Sequence, residues 1–253
     1  MGGYLGKYTA GWEERLAEIM ERRSIGKASA VVTVTENHRK MLSLSYPQHS
    51  EKIHIVRNGY LEEEFPDVIE ETKEEKITIT YMGTFNIHHR PDLIFQGLKK
   101  LLEHRPELEE KILFKHIGHE DKRIMEESKK STGFDKYYST GYLPHKEALN
   151  ELMESDILIL TGEHKGMDIN LIPGKLYEYL RSGLPIVAVT ENREIEELID
   201  DSGIRCDFSE DSVCRAILDI IDNPDKYHKI RNYRDYSWGK LSENYSRILW
   251  SVL

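Results

Sequence analysis

The sequence predicts an α/β fold: a Rossmann-like parallel sheet with helices on both faces, preceded by a partial N-terminal α/β segment. Three observations carry this. From about Ile77 onward, short apolar runs alternate with stretches of helical period, the rhythm of a parallel sheet covered by helices. Two runs, Asp156–Thr161 and Ile186–Val189, are the most apolar, as central strands buried on both faces are. The first sixty residues repeat the alternation with only two strands, too few for an independent three-layer domain.

Taken in order, Trp12, Leu16, Ile19 and Met20 mark an opening helix, Ala30–Val34 a strand, Glu36–Ser45 a helix and Ile53–Val56 a strand. Leu61–Glu75 carries Glu62, Glu63, Glu64, Glu70, Glu71, Glu74 and Glu75, which reads as a solvated interdomain linker. Lys76–Met82 is a strand. Pro91–Glu103 is a helix whose apolar side is Leu93, Ile94, Leu98, Leu101 and Leu102. Lys111–Ile117 is a strand, Asp121–Lys130 a polar helix, and Tyr137–Thr140 a short strand ending at Gly141. His145–Glu154 is helical, with Ala148, Leu149, Leu152 and Met153 in period. Between the two most apolar strands lies a helix from Pro173 to Ser182, proline at its start and Gly183 just past its end. Asp211–Asp222 is a helix stopped by Asn223-Pro224, and Trp238–Leu253 is amphipathic. The expected organisation is a partial α/β segment at 1–60, a linker at 61–75, a ligand-binding Rossmann-like domain at 76–235 and a C-terminal helix at 236–253.

Composition excludes several function classes. The 253 residues can bury one full core and part of a second. A formal net charge of −10 argues against non-specific binding of nucleic acid, which wants a basic surface. No apolar run approaches the roughly 20 residues of a membrane-spanning helix. The N-terminus lacks an apolar signal-peptide core, so a cytoplasmic chain is expected. Cys206 and Cys214 fit neither a zinc knuckle nor a disulfide scaffold. No Gly-x-Gly-x-x-Gly or Walker-type Gly-Lys-Ser/Thr is present, which removes an NAD-dependent oxidoreductase.

Six segments then occur in a telling order. Ala28-Ser29-Ala30-Val31-Val32-Thr33-Val34-Thr35-Glu36 is followed by Ile53-His54-Ile55-Val56-Arg57-Asn58-Gly59 and by Tyr81-Met82-Gly83-Thr84-Phe85. Gly141-Tyr142-Leu143-Pro144 and Ser155-Asp156-Ile157-Leu158-Ile159-Leu160 come next. The last is Ile172-Pro173-Gly174-Lys175-Leu176-Tyr177-Glu178-Tyr179-Leu180 with Gly183-Leu184-Pro185-Ile186-Val187. Together they resemble the C-terminal two-thirds of family 4, or group 1, glycosyltransferases of the GT-B fold. The resemblance implies two Rossmann-like domains facing one cleft, the second complete here. The first, acceptor-side domain is represented only by its remnant at 1–60.

The residue chemistry suits a nucleotide diphosphate sugar. Such a ligand sits beyond the carboxyl ends of the strands of an open parallel sheet. Gly83 lets backbone approach it, with Thr84 beside it. Pro173 at a helix start leaves the N–H groups of Gly174 and Lys175 aimed where a phosphate would bind. Lys175 and Glu178 share a helix face, roughly 4.5 Å apart along the axis. They suit an ammonium near phosphate and a carboxylate accepting both ribose hydroxyls; the bland alternative is a surface ion pair of small value. The resemblance assigns Glu178 the ribose and makes Arg90 the nearest match to a diphosphate-pairing basic residue. Arg90 reads equally as a surface arginine ahead of Pro91.

Tyr142 and Leu143 occupy the loop that the resemblance gives to the base, which reads equally as an ordinary strand-to-helix turn, and Leu171 and Ile172 precede the helix. The family's second carboxylate, near the sugar, falls on Asn170, which can bond hydroxyls but cannot act as a base. Glu163 or Asp168 could substitute, and Gly162, His164, Lys165 and Gly166 could contact sugar or phosphate or form a plain loop. The densest histidines, His88-His89 and His116-x-x-His119, make a metal site conceivable, but no metal or other cofactor is expected. Cations and helix N-termini would stabilise the leaving diphosphate, with Lys175 and Arg90 as the candidate catalytic residues.

The implied function is transfer of a sugar from a nucleotide diphosphate donor to a glycan or lipid-linked acceptor, with retention of configuration. The chain is expected to be incomplete as an enzyme alone. The alternative is a non-catalytic nucleotide-sugar-binding or assembly subunit. It would pair with a separate acceptor-domain chain through Trp12–Ser24 and touch a membrane only through such a partner.

Overall fold

The computed structural model describes residues 11–66, 76–162, 171–227 and 233–253. The chain divides into two compact units. One takes in the described part of Met1–Asn58 together with Trp238–Leu253, and the other is Gly59–Ser237.

In the first unit, α1 (Gly11–Lys27) leads to β1 (Val31–Thr33), α2 (Glu36–Ser45) and β2 (Ile53–Ile55). The two strands pair in parallel, Val31 opposite Ile53. Thr35 caps α2, its hydroxyl accepting the His38 N–H at 3.1 Å, as the Thr-Glu start suggests. Ile25, Leu42, Tyr46 and Ile53 form a small core. Trp12, Leu16, Ile19 and Met20, four apolar residues at helical spacing on α1, are exposed. The C-terminal helix, named α10 below, groups with this unit.

The second unit holds β3 (Ile77–Met82), α3 (Pro91–His104), β4 (Ile112–Ile117), α4 (Lys122–Thr132), β5 (Tyr137–Gly141) and α5 (His145–Met153). It continues with β6 (Ile157–Thr161), α6 (Lys175–Ser182), β7 (Ile186–Val189), α7 (Arg193–Ile199), β8 (Gly203–Cys206), α8 (Glu210–Asp222) and α9 (Pro224–Tyr227). Trp238–Ser251 is α10. The six strands form one parallel sheet in the order β5-β4-β3-β6-β7-β8. This is the doubly wound order, reversing between β3 and β6.

Alternation along the strands builds two cores. Ile79, Tyr81, Phe114, Ile157, Ile159, Val187 and Val189 face α3, α4 and α8, where Phe95, Leu98, Met125, Val213 and Ile217 meet them. Met82, Leu158, Leu160, Ile186 and Ala188 face α5, α6 and α7, against Leu149, Leu152, Leu176, Tyr177, Tyr179 and Ile195. Both faces of β6 and β7 are therefore buried, which is why those strands read as unbroken apolar runs. Periodicity had not singled out α7 or β8. Gly203-Ile204-Arg205-Cys206 is short and mixed because it forms the sheet edge, where only one neighbour is required.

The first part of the acidic stretch packs on this unit. Phe65 is buried among the apolar residues under α6, and Arg181 holds Glu62 through three hydrogen bonds. Residues 67–75 of the expected linker lie outside the described residues, as do 163–170.

Candidate functional site

The site is built where β3 and β6 part. They pair only at Ile79–Ile157 and Thr80–Leu158, then diverge at their carboxyl ends. The Tyr179 hydroxyl, fully buried, enters the gap. It accepts the Met82 N–H at 2.9 Å and donates to the Ile159 carbonyl at 3.3 Å. Two backbone groups that the sheet leaves without a ladder partner are thereby paired, and α6 is pinned over the crevice. Leu176, Tyr177 and Leu180 bury the same side of the helix, and Gly183 ends it in the left-handed conformation. Leu176 and Tyr177 donate back to Pro173 and Gly174. The N–H groups of Gly174 and Lys175 therefore precede the first closed turn.

Beyond β3 the chain turns at Gly83, whose φ is +130°. A Cβ there would lie 2.5 Å from Lys175 Nζ, so the lysine end fills the space above the glycine. Gly118 follows β4 with φ +135°, and a Cβ on it would come within 2.5 Å of the Gly83 carbonyl oxygen. His116, wholly buried, donates from Nε2 to that carbonyl at 2.8 Å. Its Nδ1 is then left as an acceptor for the Ser139 hydroxyl at 3.2 Å, while the Tyr137 hydroxyl, 3.3 Å away, donates its one hydrogen to Glu120. The Gly118 N–H donates to the Gly141 carbonyl at 2.9 Å, tying the end of β5 to the same edge.

Lys175 gives the site its charge. Nζ donates to the Tyr81 hydroxyl at 2.9 Å and lies 4.2 Å from the centre of that ring. Burial pushes its pKa down to about 8, with the Glu178 carboxylate acting the other way. Glu178 is pushed up by burial and held back by His145, whose Nε2 is 2.9 Å from Oε1. The second histidine nitrogen, Nδ1, meets Glu64 Oε2 at 2.7 Å. His89 is kept neutral, its pKa pushed down to about 4 by burial and then by the charge of Lys175.

A cleft of about 310 Å³ opens here. Its walls are His89, Thr161 and Gly162 from the strand ends, Leu171, Ile172, Pro173 and Lys175 from the start of α6, and Thr190, Glu191, Asn192 and Ile195 beyond β7. Asn192 closes one side, donating from its amide to the Leu171 carbonyl at 3.0 Å while its Oδ1 caps α7.

The structure therefore brings together Gly83, Leu171, Ile172, Pro173, Gly174, Lys175 and Glu178. Thr84 is exposed, and its carbonyl accepts the Tyr81 hydroxyl at 2.9 Å. Tyr142 is exposed at the end of β5, its ring stacked on His119 with centroids 5.0 Å apart, while Leu143 packs against the core on the α5 and α6 side. Arg90 caps α3 in the left-handed conformation and is forked onto Asp92 at 3.0 and 2.9 Å; its neighbour His89 is the one that lines the cleft. Asn170 and Glu163 lie outside the described residues, as does the Asp168 alternative. From sequence, His89 and His116 stood out only as conceivable metal ligands, and His145 was not singled out. His145 follows the Gly-Tyr-Leu-Pro segment directly, which was the available signal. Among the described residues no three His, Cys, Asp or Glu side chains come together as metal ligands do. Nor is any described helix long and apolar enough to cross a membrane.

With this geometry in hand, the chain can be set beside known proteins. A family profile described as "Glycosyl transferases group 1" matches residues 62–235. No curated protein matches in sequence. Solved structures match in fold. Anabaena HepE, crystallised with UDP and glucose, gives a TM-score of 0.70 at 12% identity, over 94% of this chain and 66% of its own. Sucrose-phosphate synthase from Thermosynechococcus elongatus gives 0.68 at 11% identity, over 99% and 65%. A glycosyltransferase from Rickettsia africae gives 0.72 at 14% identity, over 93% and 67%. The chain thus spans about two-thirds of the length of each.

Proposed function

The chain belongs to the group 1 glycosyltransferases, matched across residues 62–235, and from that premise we propose that it carries the donor-binding half of such an enzyme. The donor is a nucleoside diphosphate sugar held at the carboxyl ends of β3, β6 and β7. The observation that carries this is Lys175. A desolvated ammonium sits over the Gly83 turn at the start of α6, one helical turn from Glu178. Removing a charge from water is costly, and a diphosphate at this point would supply a counter-charge that, among the described residues, comes from Glu178.

In this reading Lys175 and the N–H groups of Gly174 and Lys175 meet the diphosphate, and Glu178 accepts the ribose hydroxyls. Leu171, Ile172 and Pro173 shape the cleft wall. The bond from the sugar's anomeric carbon to the diphosphate oxygen breaks, its electron pair leaving with the diphosphate. The acceptor oxygen bonds to that carbon on the face the diphosphate vacates and passes its proton to the departing diphosphate oxygen. Protein cations, without a metal, stabilise the departing charge, and configuration is retained. Arg90 serves here only by exchanging Asp92 for phosphate; His89 is already at the cleft wall. UDP is the first nucleotide to try, since HepE was crystallised with it.

A second reading, a non-catalytic nucleotide-sugar-binding subunit working with an acceptor-domain chain, is favoured by the exposed apolar stripe of α1.

Calorimetric titration with UDP, GDP and their sugar conjugates tests the first reading. Saturable binding of one nucleotide, lost in Glu178→Ala, supports it. Failure of all of them to bind sinks the donor-site assignment.

A further inference from the structure

His145 opens α5, and its ring is held between two acids remote from it in sequence. Nε2 lies 2.9 Å from Glu178 Oε1, and Nδ1 lies 2.7 Å from Glu64 Oε2. Ionised carboxylates only accept hydrogen bonds, and a neutral imidazole has a single N–H. Both contacts are satisfied together only by the imidazolium, which donates from each nitrogen. Burial opposes that charge, but the combined pull of Glu178 and Glu64 outweighs it, and the imidazole's pKa stands above its ordinary value.

The charges that face this pair come from two elements: Glu64 in the turn that opens the acidic stretch, and Lys175 and Glu178 on α6, all acting on the histidine–glutamate contact. Exposure falls from 48% at His145 to 15% at Glu178, so the chain of contacts runs from solvent into the site. A glutamate on a helix does not choose the rotation of its own carboxylate plane, because that terminal torsion is broad. Here Oε1 is fixed from outside by His145.

We propose that His145, braced by Glu64, is a positioning residue that holds the Glu178 carboxylate in the orientation in which it accepts the hydroxyls of a nucleotide's ribose. This rests on the reading of Glu178 given above. The sign of its pH dependence follows from linkage. A histidine whose pKa is raised by its partners keeps the contact fully below its ordinary value and loses it as pH rises through the raised one. The preference for ribose over deoxyribose therefore declines in that window.

The test uses the full chain and calorimetry between about pH 6 and pH 9. It measures how much more tightly UDP and GDP bind than their 2′-deoxy counterparts, in wild type, His145→Ala, His145→Gln and Glu178→Ala. Direct contributions from phosphate contacts cancel in that ratio. Expected are a loss of about tenfold in ribose preference in His145→Ala, the size of a charge-assisted hydrogen bond. His145→Gln, whose amide nitrogen can replace Nε2, keeps much of the preference and loses its pH dependence. Should His145→Ala keep the preference and its pH profile while Glu178→Ala abolishes it, the ribose site stands and the positioning role falls. A preference that survives Glu178→Ala, or no binding of either nucleotide to wild type, overturns the ribose site and this role with it.

Discussion

Replacing Lys175 by methionine should make the protein more stable and deprive it of its ligand. The side chain's stem and volume are kept; the ammonium is lost. Burial takes the lysine from 10.5 to about 8. At about 1.4 kcal/mol for each tenfold change in acidity, this sets roughly 3 kcal/mol against the folded state at neutral pH. The folded pKa lies below the unfolded one, so the penalty is full below about pH 8 and vanishes as pH approaches the free lysine value. Methionine removes it but also forfeits the 2.9 Å hydrogen bond to Tyr81 and the contact with its ring, worth about 1 kcal/mol together. A net gain of about 2 kcal/mol remains, equivalent to a rise of about 4–8 °C in Tm for a unit of this size.

Thermal unfolding followed by circular dichroism, at pH 7 and again near about pH 10, reads both the gain and its disappearance. Calorimetry on the same variant should show nucleotide diphosphate binding lost. A lower Tm at neutral pH, or a gain that does not shrink with rising pH, would refute the claim that the ammonium is held against its own solvation. On the proposed reading such a charge is kept for binding at the expense of stability, a trade common at functional sites.

Two structural predictions accompany it. Gly118→Ala places a Cβ 2.5 Å from the Gly83 carbonyl oxygen at φ +135°; it should cost about 2–4 kcal/mol in urea unfolding. An unchanged midpoint would mean that the two turns are not in contact. Tyr179→Phe removes the partner of the Met82 N–H and of the Ile159 carbonyl. A loss of about 1–3 kcal/mol is expected, together with weaker nucleotide binding as α6 loosens over the crevice; full stability would show that the gap between β3 and β6 closes without it.

Much of this molecule was legible in its sequence. The unbroken apolar character of Ile157–Thr161 and Ile186–Val189 gave central parallel strands, because burial on both faces leaves no polar side to alternate with. Pro173 and Gly183 bracketed the helix that bears Lys175 and Glu178, because each residue suits one end of a helix and not the other. The order of the motifs pointed to the family that the profile then matched. Edge strand β8 stayed hidden, since an edge can be short and mixed.

Tertiary structure decided what periodicity cannot carry, namely which strand ends become neighbours. Only the sheet order puts Gly83, after β3, under Lys175 from α6, residues far apart in the chain. The same order sets His89 at the cleft wall, while Arg90 beside it is folded onto Asp92. It also brought Glu64, His145 and Glu178 into one line of contacts. Spacing along a helix fixes local geometry because the backbone repeats. The charge state of a buried lysine, or the partner of a histidine, depends on what long-range folding packs around it. That is settled only when the sheet is assembled.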